Sequence, residues 1–174
     1  MVFESSRQIK AALDAQNIRC QIDEGPDSSA VITGFDLKSG DAATFHFISM
    51  SDKNDVALRA FHFAKGDPAK LLSVVNALNC KFRYAKFALR EDEVCVEMDI
   101  PQETTDVGRV AFEMLARSLD ILAEAAPELK AAGATVEKAQ SASEPEPPKP
   151  EVPAPDPAPK KGLFGGLFGG GNGK

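Results

Sequence analysis

The sequence predicts an α+β fold, an antiparallel sheet of about six strands with three helices, and three observations predict it. Short segments rich in Val, Ile, Phe and Thr alternate apolar and polar residues between tight polar turns, the pattern of antiparallel neighbours. Three other segments repeat their apolar residues at helical spacing. The punctuating residues crowd one end. Eight of the twelve prolines lie between Pro145 and Pro159, and seven of the thirteen glycines between Gly162 and Gly173. One folded domain, residues 1–133, therefore precedes a disordered tail made of a Pro-rich linker, 134–161, and a Gly-rich Leu-Phe tip, 162–174.

The elements follow in the order α-β-β-β-β-α-β-β-α. A first helix is expected over residues 4–16, with Ser5 or Ser6 as its cap and Ile9, Ala12, Leu13 and Gln16 as its stripe. "IRCQIDE" then alternates, with Ile18, Cys20 and Ile22 on one face. "AVITGFDL", "ATFHFISM" and "VALRAFHFAKG" read as the next three strands, joined through "KSGD" and "SDKND". Asp67 and Pro68 open a second helix whose stripe is Leu71, Leu72, Val75 and Leu78, and Asn79 can close it in a left-handed conformation. "YAKFALR" and "VCVEMDI" form a hairpin around "EDE", with Ala85, Phe87 and Leu89 facing the side of Val94, Val96, Met98 and Ile100. A last helix over residues 105–126 carries two stripes, Val107, Val110, Met114, Ser118, Ile121 and Ala125 beside Phe112, Leu115, Leu119 and Leu122. One stripe suffices for packing on a sheet, so this width means deep burial or a subunit contact.

Charge narrows the function. The net charge is −6, and the tail from residue 134 holds five Lys against five acids, so the acidity belongs to the domain. An acidic domain repels phosphate backbones, which argues against nucleic-acid binding. The start of the chain has no apolar signal region and no stretch nears the roughly 18 apolar residues of a membrane span, so a cytoplasmic location is expected. Cys20, Cys80 and Cys95 lack metal-ligand or redox spacing, which suits a reducing compartment.

A resemblance emerges along "LLSVVNALNCKFRYAKFALREDEVCVEMDIP" and the long helix ending "ILAEAAPEL". This run resembles the bacterial YbjN family, whose fold is similar to that of type III secretion chaperones, over about residues 5–130. The resemblance implies a small acidic binding domain, often dimeric, without a known catalytic centre and in a family commonly called sensory or regulatory. The tail lies outside it.

Candidate chemistry is sparse. "FHF" occurs at 45–47 and again at 61–63; a hairpin register summing to 108 would set His46 opposite His62, and two facing imidazoles could begin a metal site. No carboxylate or thiolate shares that face, so the imidazoles read as cross-strand neighbours and the four phenylalanines as core. Glu91, Asp92 and Glu93 read as a solvated turn rather than an acid/base pair. No nucleophile elbow, phosphate loop or dinucleotide motif is found, so no enzyme, cofactor or metal is expected.

The tip repeats GLFG, placing Leu163 four residues from Leu167 and Phe164 four from Phe168. Each glycine opposes helix by about 1 kcal/mol, so these four residues are expected to bind weakly, as a short protein-docking peptide held at the end of a semi-rigid spacer. The leading expectation is a non-enzymatic adaptor or chaperone-like domain with an unknown protein partner and a possible homodimer. The alternative is a peripheral membrane or scaffold tether, in which Lys160 and Lys161 assist the tip on an anionic surface.

Overall fold

The computed structural model describes residues 2–53, 55–101 and 104–138. Helix α1 (Glu4–Ala15) leads into strands β1 (Gln21–Glu24), β2 (Ser28–Asp36), β3 (Ala42–Met50) and β4 (Asp55–Lys65). Helix α2 (Pro68–Lys81), the hairpin β5 (Lys86–Arg90) and β6 (Glu93–Pro101), helix α3 (Val107–Ala131) and a short β7 (Thr135–Val136) follow. The strands form one antiparallel sheet in the order β1-β2-β3-β4-β6-β5, with β7 pairing to β4. The expected α+β order stands, and β7 is a seventh strand beyond the six that alternation revealed.

Alternation divides the sheet into two faces. Val31, Phe45, Phe47, Val56, Leu58, Phe87, Val94, Val96 and Ile100 point to one face, where they are buried with Ile9 and Leu13 of α1, Leu71, Val75 and Leu78 of α2, and Ala111, Leu115, Leu122 and Leu129 of α3. Hydroxyls tie α1 onto this face: Ser5 bonds Ser49 at 2.7 Å, and Ser6 bonds Ser29 at 2.8 Å. Neither serine caps the helix, as the sequence suggested; Phe3 holds the N-cap position without a side-chain bond. The serines serve the sheet because Ser29 and Ser49 are themselves buried and need partners. Helices α1 and α3 approach closely at Gly108, where a Cβ would stand 2.7 Å from the Gln8 carbonyl oxygen.

Helix ends depart from the expectations in instructive ways. Asn17, at φ 58°, supplies the left-handed stop of α1, while α2 continues past Asn79 to Lys81. Leu72, assigned to the buried stripe of α2, is 54% exposed. Helix α3 runs through Pro127 to Ala131, because Ala126 and Leu129 are wholly buried on either side of it and hold the last turn in place. Its most buried seam, Val107, Ala111, Leu115, Ser118, Leu122, Ala125 and Leu129, threads between the two expected stripes and leaves Phe112, Met114, Leu119 and Ile121 half-buried beside it. Gly133, at φ 89°, ends the helix as Ala134 N–H donates to the Leu129 carbonyl at 3.0 Å.

A bulge in β4 shapes the rest. Ala60 pairs with Val96 and Ala64 with Val94, so Phe61, His62 and Phe63 stand across from Cys95 alone, with His62 left-handed at φ 53°. The strand changes phase there, and Phe63 and Ala64 are buried in succession. β3 and β4 pair only along His46–Ser49 and Val56–Arg59. The space between the start of β3 and the end of β4 takes β7: Val136 pairs with Ala64, Lys138 bridges Asp41, and Ala42 N–H donates to the Glu137 carbonyl at 2.8 Å.

Candidate functional site

The hairpin register settles the histidine pair. His46 stands opposite Arg59 and Phe47 opposite Leu58, a sum of 105 rather than 108. An even sum would have turned Arg59 into the core with Phe45 and Phe47; the odd sum points Arg59 outward and Val56, Leu58 and Ala60 inward. The expected His46–His62 facing pair is therefore not formed, and among the described residues no cluster of three His, Cys, Asp or Glu side chains could hold a metal ion. Phe45, Phe47 and Phe63 are core as expected, but Phe61 is 37% exposed and its ring meets His46 edge-on at 5.2 Å. Burial, and next the charge of His62, hold the His46 imidazole below its usual value. His62 itself turns to Glu93, its Nδ1 against Oε2. The hairpin acids are engaged as well: Lys65 reaches Asp92 at 3.1 Å and Glu93 at 3.7 Å.

Opposite the helices lies a face of half-exposed residues. One row across it runs Gln21, Ile32, His46, Arg59, Glu97, Lys86, and the next runs Asp23, Ala30, Ile48, Ala57, Asp99. Met50, 39% exposed, and Phe61 extend the apolar part. Two of its charge pairs are satisfied internally. Arg59 binds Asp99 at 2.7 Å and donates to the Met98 carbonyl at 2.5 Å, and Arg90 binds Glu97 at 2.6 Å. An apolar centre flanked on one side by self-paired charges suits an apolar surface better than a highly charged one.

The β5 edge of the sheet is closed. The Asn79 amide accepts from Phe87 N–H at 2.7 Å and donates to the Phe87 carbonyl at 2.9 Å, standing where the next strand would pair. The sequence reading gave Asn79 a helix-stop role; its position on the α2 surface facing β5 was the signal missed. Beside it lies a groove of about 510 Å³ with Phe82, Ala85 and Met98 along its floor and Arg83, Tyr84 and Lys86 along its rim. Leu163, Phe164, Leu167 and Phe168, the expected docking residues, lie outside the described residues.

The fold and these surfaces define a class: an α+β domain with one helix-covered and one uncovered sheet face. The chain belongs to the YbjN family, described as "Putative bacterial sensory transduction regulator", which it matches over residues 5–131. No curated protein matches the chain. Among the described residues no helix is long and apolar enough to cross a membrane.

Proposed function

We propose that this protein is a cytoplasmic, non-enzymatic adaptor or chaperone-like regulatory domain that holds an apolar segment of another protein on its uncovered sheet face. The observation that carries the reading is the apolar strip of Ile32, Ile48, Met50 and Phe61, flanked on its β6 side by the self-paired Arg59–Asp99 and Arg90–Glu97. Membership in a family of regulators supports it. The test is affinity capture with intact protein and with a Met50→Asp, Phe61→Asp variant, accompanied by light scattering. Loss of a captured protein in the folded variant supports the reading. Undiminished capture, or a wild-type dimer that the variant turns into a monomer with no other partner, overturns it.

The tip supports a second reading, in which Leu163, Phe164, Leu167 and Phe168 beside Lys160 and Lys161 tether the domain to an anionic membrane. Co-sedimentation of the intact chain with anionic vesicles at low salt tests it, and absence of the protein from the pellet eliminates it.

A further inference from the structure

The groove between the end of α2 and the start of β5 is flanked by cations left without a counter-charge among the described residues. The whole chain carries −6, yet Arg83 and Lys86 on the groove rim and Arg117 on α3 form no ion pair with any described residue. The acids that share the groove are already taken, Glu97 by Arg90 at 2.6 Å and Asp99 by Arg59 at 2.7 Å. Neighbouring Lys81 is likewise held, by Glu124 at 2.7 Å and Glu128 at 2.8 Å, so it does not add to the unpaired set.

An aromatic stands among these cations. Tyr84 is 59% exposed, and the Arg117 guanidinium lies 5.3 Å from the centre of its ring. Such stacking fixes a guanidinium while leaving its N–H edge for a carboxylate, which it can grip through two parallel bonds. The floor differs in kind, since Ala85 and Met98 are buried and apolar and Phe82 is half-buried. Cations around an apolar floor match a peptide that places one apolar side chain between carboxylates. Because Asn79 occupies the outward backbone groups of Phe87, such a peptide would be held by side chains rather than as an added strand.

We infer that the Arg83, Tyr84, Lys86 and Arg117 groove is a binding site for an acidic peptide segment with an apolar residue among its carboxylates. The inference extends the adaptor reading by naming the chemistry of one partner segment, at a place separate from the apolar sheet face.

Fluorescence anisotropy of the full chain tests it with a short labelled peptide of glutamates around a single leucine, and with the same peptide carrying glutamines. The glutamate peptide is expected to bind, to weaken as salt rises, and to lose roughly tenfold or more in affinity on Arg83→Gln with Arg117→Gln, about one lost charge-assisted contact. Tyr84→Ala should weaken it as well. Arg7→Gln with Lys53→Gln removes the same charge elsewhere and should leave binding intact. Equal binding of the glutamine peptide, or equal weakening by the Arg7 and Lys53 changes, overturns the site. Glutamate-peptide binding unchanged by the groove variant, with a protein still captured through the sheet face, overturns the groove while leaving the adaptor reading standing.

Discussion

Asp41 is the most exacting residue of the domain. It is fully buried, its counter-charge is the Lys130 ammonium, and neither carboxylate oxygen receives a directed hydrogen bond from a described residue. A buried charge of this kind depends on its partner, so Lys130→Met should lower stability by about 2 to 4 kcal/mol, while Asp41→Leu with Lys130→Met should recover much of that loss. Urea midpoints of the two variants check it, and a double variant less stable than Lys130→Met would refute it. His46 adds a pH dependence whose sign follows from its lowered value. The unfolded chain takes up the proton near 6.5 while burial and His62 resist it in the folded state, so the contribution is complete above 6.5 and fades as pH falls through the lower folded value. The drop in unfolding free energy from about pH 7 to about pH 5 should be smaller in His46→Gln than in wild type; an equal drop would place that dependence elsewhere.

At the scale of elements, what the sequence revealed was what a repeating pattern carries. Alternation found six strands because one face of each packs toward the core, and Asp67 with Pro68 marked the start of α2, where the Asp67 side chain accepts from Ala69 N–H at 3.0 Å. What it hid were the places where one residue serves a distant element. The register of β3 on β4 is legible in Arg59, since only the odd sum keeps that guanidinium out of the core, whereas the symmetry of the two FHF runs points to the even sum. Ser6 read as a cap because caps are local, whereas its partner is Ser29 across the core. The uncovered sheet face was half legible from alternation, and the groove was not, because Arg117 reaches Tyr84 from another element. Asn79 makes the same point energetically. Asn79→Ala would leave the Phe87 N–H and carbonyl without their partner and should cost roughly 1 to 3 kcal/mol. It would also uncover the β5 edge, so the variant should self-associate more at high concentration; sedimentation and urea unfolding together check both effects, and an unchanged midpoint would count against this role.

For the whole molecule, the decisive feature is how the chain leaves the domain. The composition break near Gly133 and the family match ending at 131 both suggest that the fold is complete there. The bulge at Phe61, His62 and Phe63 changes that, because it leaves the end of β4 without β3 beside it and the next available strand is β7. Val136 enters the core there at 3% exposure, and the Glu137 carbonyl takes the Ala42 N–H beside the buried Asp41. A two-residue strand is invisible to periodicity, since it is too short to alternate. A protein ending at residue 133 should therefore be less stable than one ending at residue 138. The Val136 side chain alone contributes about 1.5 to 3 kcal/mol, before the lost pairing to Ala64 and Lys65 is counted. Thermal and urea unfolding of the two lengths measure the difference directly, with Val136→Ala in the longer one isolating the side-chain part. Equal midpoints would mean that β7 contributes nothing to the fold. A clear deficit in the shorter protein would establish that residues 134–138 belong to the folded domain, held by the β7 pairing with the segment of β4 that follows the His62 bulge.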